Sequence, residues 1–448
     1  MGEAASYLKS RDSFLSGADT PRAFLERCLD VVSRRESEIK AFAYLDADGA
    51  RRAADAATER YRQGKPLSPV DGMPVGIKDV FDTSDMPTEM GSRLFAGRRP
   101  TDDAAHVAAL RQSGAIILGK TVTSQFAVAG NGPTRNPLNL ERSPGETSSG
   151  SAAAVAAGMV PVATGSQARG SILKPASFCG IYGIKPTRGA LNRWGTLWPA
   201  KSYDHLGALA RSLDDLWAVL WQIGQVAGGD PGHPGLFGEA APPPLHPLRH
   251  VAVLRTAGWD LMTAEASARF ETYLQRLQSA GVKVSRHGDD KDLAAFEESA
   301  RAVPSIWLRI AAYENRWPLE SFRRRGAELL APELVALFDK TSAIDIPGYR
   351  SALAERAELS AAYDALATKY DAFITLAAEG PASPFPKSGS SAFHELATIV
   401  GVPAISVPAL ETESMPLGVQ LIGRRHADYA LIGQARDAMR HSNAQKAA

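Results

Sequence analysis

Apolar positions along the chain follow two patterns, one with the spacing of helices and one made of short continuous runs. In residues 21–45 apolar side chains recur at helical spacing, which predicts a helix with one buried face. That face carries Phe24, Leu25, Cys28, Leu29 and Val32. Residues 51–63 continue as a polar helix, and Gly64 and Pro66 mark its end.

The same two patterns recur to the end of the chain and indicate an α/β fold. Helices are predicted over residues 106–113, 151–157, 213–225, 264–280 and 428–439, and residues 304–337 are rich in helix. Strands are predicted over residues 75–80, 115–118, 160–164, 250–254, 282–285, 371–377, 404–408 and 418–422. Because helices and strands alternate, we expect a largely parallel sheet. Residues 231–250, rich in Pro and Gly, are interpreted as a surface crossing inside one domain.

Composition excludes several classes of protein. The chain has 448 residues, 44% of them hydrophobic, and its net charge of +1 gives no electrostatic footprint for nucleic acid. The longest apolar stretch, residues 152–163, is too short to span a bilayer, so no membrane is expected as a partner. Two cysteines, Cys28 and Cys179, are too few for a disulfide framework, and no signal peptide opens the sequence. We therefore expect a cytoplasmic protein.

Residues 143–187 hold two clusters of hydroxyl side chains. Thr147, Ser148 and Ser149 form the first cluster, and the second lies in residues 166–171. A predicted helix, which Gly158 ends, and a predicted strand separate them. Because a loop, helix, strand and second loop can fold back, we expect the two clusters to meet.

One lysine, Lys78, stands at the end of the apolar run in residues 75–80. The first interpretation is an ordinary strand-end lysine, exposed or paired with Asp79, since lysine is seldom buried without a partner. The second is a buried lysine. Desolvation would lower its pKa, because it disfavours the cation, and the neutral amine is a competent base. The residues alone leave both interpretations open.

Motifs in residues 72–80, 132–137, 143–187 and 416–423 occur in a characteristic order. Together they resemble the amidase signature family of serine hydrolases, from about residue 20 to residue 440. The resemblance implies an α/β fold, a single α/β/α sandwich domain with a large mixed twisted β-sheet covered by helices on both faces. Over residues 1–448 it divides into an N-terminal helical region (20–70), a catalytic core (71–212), a variable helical region that shapes the substrate pocket (213–370) and a C-terminal part (371–440). It also implies a small-molecule amide substrate, no cofactor and a homodimer.

The resemblance assigns the nucleophile and the base. Ser171 occupies the position of the family's nucleophilic serine, and Lys78 that of its catalytic lysine. Backbone N–H groups are expected to hold the oxyanion. They belong to Ala168, Arg169, Gly170 and Ser171.

The expected proton relay departs from the family pattern. Thr147 stands where the family has a bridging serine on a cis peptide bond, and Glu146 replaces the preceding glycine. Threonine keeps a hydroxyl that can donate and accept, so Thr147 is the expected relay between Ser171 and Lys78, with Ser148 as the alternative. A cis bond between Glu146 and Thr147 would cost about 3–4 kcal/mol.

Three further side chains near the nucleophile are candidates for substrate binding. Arg169 stands where the family has glycine; a positive φ there would be strained, and its charge would either attract an anionic substrate or block the pocket. Gln167 matches relatives that resemble malonamidases. Lys174 stands where those relatives carry an arginine that grips a substrate carboxylate. We therefore hypothesise a carboxylate-bearing or strongly polar amide.

Competing motifs are incomplete. Gly145 and Gly150 have the spacing of a P-loop, but Ser151 stands where its lysine belongs. Residues 171–174 match the S-x-x-K motif of penicillin-binding proteins, but Pro175 argues against a helix that continues through it. No H-E-x-x-H motif occurs, and we expect no metal.

The function implied by the resemblance is hydrolysis of a carboxylic amide through a Ser171 acyl-enzyme. Two alternatives stay open. The altered positions Glu146, Thr147, Ala168 and Arg169 are compatible with a degenerate amidase fold that binds without turnover. The other alternative is the amidase subunit of a tRNA-dependent amidotransferase, although such subunits usually carry arginine where Leu173 stands.

Overall fold

The computed structural model describes residues 6–128, 132–197, 201–341 and 344–442. The helices are α1 (Tyr7–Leu15), α2 (Pro21–Ile39), α3 (Ala47–Arg62), α4 (Ala105–Gln112), α5 (Ser149–Ala157), α6 (Leu173–Cys179), α7 (Leu213–Ala227), α8 (Ala264–Ser279), α9 (Lys291–Ala300), α10 (Val303–Gly326), α11 (Pro332–Thr341), α12 (Ile346–Ala367), α13 (Glu395–Val400) and α14 (Asp428–Arg440). The strands are β1 (Phe42–Leu45), β2 (Pro74–Lys78), β3 (Ile116–Thr121), β4 (Val162–Gln167), β5 (Tyr182–Lys185), β6 (His205–Ala210), β7 (His250–Val253), β8 (Lys283–Ser285), β9 (Ala372–Leu376), β10 (Ala404–Thr412) and β11 (Met415–Ile422).

Two sequence-based helix predictions need correction. The helix predicted over residues 21–45 ends at Ile39, because Lys40 takes a left-handed conformation, and residues 42–45 form β1 instead. The expectation that Pro175 prevents a helix after Ser171 was also wrong. Pro175 lies in the first turn of α6, where an N–H has no partner within the helix, so proline is tolerated.

Across the described residues the strands form one eleven-stranded sheet in the order β1-β3-β2-β4-β6-β5-β10-β11-β9-β7-β8. The expectation of a largely parallel sheet was wrong, and the mixed sheet is confirmed. Parallel pairs are confined to β2 with β3 and β4 and to β7 with β8 and β9. The centre is antiparallel, since β10 and β11 are joined by a two-residue turn at Glu413 and Ser414, both with positive φ.

Helices cover both faces of the sheet. Along β3, Ile117 packs into one apolar cluster, whereas its neighbours Ile116 and Leu118 pack into another, because successive side chains of a strand point to opposite faces. The first cluster contains residues of α4 and α7, and the second contains residues of α2, α3 and α5. This arrangement confirms the predicted α/β/α sandwich.

Candidate active site

The carboxyl ends of two parallel neighbours, β2 and β4, place the candidate residues together. β2 ends at Lys78, and β4 ends at Gln167, immediately before the loop that carries Ser171. Thr147 precedes α5, whose chain returns through β4 to the same edge. The two hydroxyl clusters therefore meet, as the chain order predicts.

Lys78 is completely buried. Its Nζ lies 2.6 Å from Thr147 Oγ1 and 2.9 Å from Ser166 Oγ. The interpretation of Lys78 as a partner of Asp79 was wrong, because Asp79 pairs with Lys120 at 3.2 Å. Burial lowers the pKa of Lys78 to about 7, although the charges of Asp204 and Glu146 act in the opposite direction and raise it. Both protonation states are thus accessible near neutral pH.

Asp204, at the start of the segment that enters β6, is the carboxylate with the larger influence on Lys78. Burial raises the pKa of Asp204 to about 6, while the charges of Arg193 and Lys78 lower it. Asp204 is charged when Lys78 is protonated at neutral pH, and it stabilises the ammonium form. Sequence reasoning missed Asp204, since it lies outside the motifs.

The hydroxyl of Ser171 is hydrogen-bonded to Glu146 in this structure. No hydrogen bond joins the hydroxyls of Ser171 and Thr147 within the described ranges; Ser171 Oγ donates instead to Glu146 Oε2 at 3.1 Å. Gly145 lets the chain before Glu146 pass close to α6. Its φ is +116°, and a Cβ on Gly145 would lie 2.6 Å from Pro175 Cα, so a residue with a side chain would not fit. Of the two hydrogen bonds expected of Thr147, the one with Lys78 is present among the described residues and the one with Ser171 is not.

The peptide bond between Glu146 and Thr147 is trans. Among the described residues the cis bond is at Phe385-Pro386, so the cis bond that the family has at this position is not present before Thr147. A trans bond carries none of the energetic cost that a non-proline cis bond would impose.

The loop after β4 carries the four residues whose backbone N–H groups are predicted to bind the oxyanion. In the described part of the chain, none of the N–H groups of Ala168, Arg169, Gly170 and Ser171 donates a hydrogen bond. The loop is fixed through its carbonyls instead, since Trp307 Nε1 donates to the carbonyl of Ala168 and Thr398 Oγ1 to that of Arg169. The strain considered for Arg169 is absent, because its φ is not positive.

Two of the remaining candidates are bound within the protein. Ser148 Oγ donates to the Ser166 carbonyl at 3.4 Å. Gln167 Oε1 accepts the N–H groups of Ile172 and Leu173, at 2.9 and 3.1 Å, and so fixes the start of α6. These contacts give Ser148 and Gln167 positional roles in the resting site.

The two cations expected to meet a substrate carboxylate are both paired with carboxylates of the chain. Arg169 donates to Glu395 at 2.8 Å and lies 4.3 Å from the centre of the Trp307 ring. Lys174 is completely buried and lies 2.8 Å from Glu146 Oε1. In this structure Lys174 therefore has a carboxylate partner from within the chain, and its role in gripping a substrate carboxylate stays a prediction.

Charge and burial act together on Glu146. Burial raises its pKa, but the charge and hydrogen bond of Lys174, the hydrogen bond of Ser391 and the charge of Arg169 lower it to about 2. Glu146 is thus an anion at any physiological pH. Sequence reasoning missed Ser391 and Glu395, because both come from the distant segment before and within α13 and belong to no motif.

Two classes of site are absent from the described residues. In those ranges no three His, Cys, Asp or Glu side chains form a group that could hold a metal ion. Likewise, no described helix has the length and hydropathy needed to cross a membrane.

Comparisons with known proteins show extensive similarity. The family model described as Amidase matches residues 23–432. A glutamyl-tRNA(Gln) amidotransferase subunit from Chloroflexus aggregans is 32% identical over 463 residues, which cover 93% of this chain and 92% of the relative. The crystal structure of an amidase, 28% identical, superimposes with a TM-score of 0.83 over 97% of this chain and 99% of the other. The native peptide amidase from Stenotrophomonas maltophilia, 25% identical, gives a TM-score of 0.79 over 99% and 98%.

The comparisons confirm the family and the fold class that the sequence motifs indicate. The chain therefore belongs to the Amidase family, whose members are hydrolases of carbon–nitrogen bonds.

Proposed function

We propose that the protein is an amidohydrolase that cleaves a linear carboxylic amide to an acid and ammonia or an amine, through a Ser171 acyl-enzyme. One observation carries the proposal: a completely buried Lys78, with a pKa of about 7, contacts Thr147 at the strand edge that also holds Ser171. A base needs a pKa near the working pH, and a serine needs such a base to become a nucleophile.

In the proposed mechanism, Ser171 first turns from Glu146 towards Thr147. Neutral Lys78 takes the proton of Ser171 through the Thr147 hydroxyl as the serine oxygen attacks the amide carbon. The N–H groups of residues 168–171 hold the oxyanion. The carbon–nitrogen bond then breaks, and the proton returns through Thr147 to the leaving ammonia or amine.

Deacylation repeats the same steps with water. Lys78 takes a proton from water, the hydroxide attacks the acyl carbon, and the bond to Ser171 Oγ breaks. The proton passes back to Ser171, so the enzyme is regenerated and one water is consumed for each amide.

A fluorophosphonate probe tests this proposal without knowledge of the substrate. We expect a covalent adduct on Ser171, identified by mass spectrometry, that disappears in Ser171→Ala and Lys78→Ala. Folding of each variant is checked by circular dichroism. A folded wild-type protein without any adduct would contradict the proposal and support a degenerate fold that binds a ligand without turnover.

The Chloroflexus aggregans relative favours a second candidate function, the amidase subunit of a tRNA-dependent amidotransferase. Such a chain would use the amide of glutamine and would assemble with partner subunits. Co-purification of partners, together with glutamine hydrolysis by the complex, would favour this function over the first.

We further propose a cytoplasmic protein that acts on small-molecule amides as a homodimer. The two buried free cysteines, Cys28 and Cys179, suit a reducing compartment. Light scattering coupled to size-exclusion chromatography tests the oligomeric state.

A further inference from the structure

A largely buried cluster of charged and polar groups lies directly beside Ser171, outside the proposed proton relay. Lys174 Nζ lies 2.8 Å from Glu146 Oε1, and Ser391 Oγ donates to the same oxygen. The other oxygen, Oε2, accepts the hydroxyl of Ser171. We call Glu146, Lys174 and Ser391 the carboxylate cluster.

The carboxylate of Glu146 occupies the position that an anionic ligand would take in this cluster. Lys174 is completely buried, and its ammonium group is otherwise held by the Gly389 carbonyl and Ser391 Oγ, at 3.2 and 3.3 Å. A buried ammonium requires an anionic partner. Glu146 supplies that partner from within the chain.

The second cation near the nucleophile is also neutralised. Arg169 is paired with Glu395, whose side chain is buried, and stacks on Trp307. Both cations beside Ser171 thus carry a carboxylate of this protein. A substrate carboxylate near the acyl carbon would meet Glu146 as a like charge, and both cations would already be paired. Like-charge contacts of this kind disfavour binding of the wrong substrate.

We propose that Glu146 determines specificity: it fills the anion site formed by Lys174 and Ser391, so that the enzyme takes amides with neutral acyl groups and rejects those with a carboxylate. As a statement about substrates, this inference rests on the proposed amidohydrolase function. As a statement about an occupied anion site, it is independent of that function.

Removal of the Glu146 carboxylate should therefore create an anion site. Glu146→Ala keeps the Cβ and removes a methylene and a carboxylate, the non-hydrogen atoms of acetate. Glu146 has no positive φ, so alanine fits its backbone. Acetate is expected to occupy the vacated position between Lys174 and Ser391.

The first experiment measures thermal unfolding against acetate concentration, with chloride at equal ionic strength as the control. In Glu146→Ala we expect a saturable upward shift of the melting temperature by several degrees, since a ligand that binds only the folded state stabilises it. Wild type and the double variant Glu146→Ala/Lys174→Met, which lacks both charges, should show no such shift. A folded Glu146→Ala that ignores acetate, or a wild type that responds equally, would overturn the inference.

The second experiment measures substrate preference, and its result with the wild-type protein is enough to contradict the inference. It compares kcat/KM for butyramide and for succinamate, which has the same carbon count but ends in a carboxylate. We expect wild type to prefer butyramide on the order of 100-fold, and Glu146→Ala to lose most of that preference. Equal turnover of both amides by wild type would sink the inference while the amidohydrolase function stands. Turnover of neither, with acetate-dependent stabilisation of Glu146→Ala intact, would count against the function and leave the anion site supported.

Discussion

The buried amine of Lys78 exists near neutral pH in two forms, of which only the neutral form can take a proton. Burial favours the neutral form, and the carboxylates of Asp204 and Glu146 favour the cation. The balance between these effects makes the chemistry of the site sensitive to pH.

The rate of fluorophosphonate labelling should therefore fall as the pH falls through the pKa of Lys78, about 7. Below that value Lys78 is protonated and cannot activate Ser171, whereas above it the neutral amine is present, so the rate rises to a plateau. Labelling rates measured from roughly pH 5 to pH 9 check this expectation.

Asp204→Asn provides the matched test of the cause. Because the Asp204 carboxylate raises the pKa of Lys78, its removal should move the fall in rate to lower pH. Asp85→Asn, which removes a carboxylate paired with Arg111, should leave the profile in place. A profile that does not move in Asp204→Asn would contradict this assignment.

We expect labelling of Ser171 to require the hydroxyl of Thr147 and not its methyl group. Thr147→Val keeps the shape but removes the oxygen that contacts Lys78, and it should slow labelling by about 10²–10⁴-fold, the usual contribution of a proton-transfer group. Thr147→Ser should keep most of the rate. Ser148→Ala serves as the control, since Ser148 is the alternative relay; a loss of rate there, with Thr147→Val unaffected, would assign the relay to Ser148.

Motifs sufficed to select Lys78, Thr147 and Ser171, which lie at one edge of the sheet because β2 and β4 are parallel neighbours. The partners of these residues were not predictable. Ser391 and Glu395 reach the site only through the tertiary fold, and the two substitutions Glu146 and Arg169 were visible without their counter-charges. A single sequence shows which residue departs from the family pattern, but it does not show which distant residue supplies the opposite charge.

At the scale of elements, the side chain of Gln167 holds the nucleophile loop between β4 and α6 in place. Gln167, at the end of β4, accepts the N–H groups of Ile172 and Leu173 at the start of α6. It also donates to Thr398, whose hydroxyl in turn donates to the Arg169 carbonyl. A single buried side chain thus links β4, α6 and α13 around the loop.

Gln167→Ala should lower the free energy of unfolding by about 1–3 kcal/mol, because two buried N–H groups lose their acceptor. Labelling of Ser171 should also slow, since the oxyanion loop loses its anchor. Urea denaturation measures the first effect. Gln278→Ala, at an exposed position of α8, is the control and should change stability little.

Periodicity predicted the long, regular elements and failed where local signals and tertiary pairing disagree. Residues 42–45 continue an apolar pattern compatible with helix, yet they pair with β3 as a strand. Helix α12 (Ile346–Ala367) was not predicted: its buried residues recur at helical spacing, but exposed alanines on its other faces obscure that pattern in the sequence. The antiparallel centre of the sheet was also missed, since strand direction depends on which distant strands pair.

At the scale of the whole molecule, we propose that the chain folds as one domain. Across the described residues a single sheet runs from β1, near the start of the chain, to β8, with β10 and β11 at its centre. Sequence regions that the motifs separate thus share one set of hydrogen-bonded strands.

Differential scanning calorimetry should accordingly show one cooperative unfolding transition. The same transition should appear by tryptophan fluorescence and by far-UV circular dichroism. Two resolved transitions, or a proteolytic fragment that stays folded alone, would indicate separate domains.

The central place of the hairpin formed by β10 and β11 has a consequence for synthesis of the protein. β10 pairs with β5 on one side, and β11 pairs with β9 on the other. Until residues 404–422 leave the ribosome, β5 and β9 each present an open edge, and open strand edges invite pairing with other chains. The edge of β5 stays open from the synthesis of Lys185 until residues 404–422 emerge, and that of β9 from Leu376 onwards. We therefore expect chaperone supply and elongation rate to influence the yield of the protein in cells.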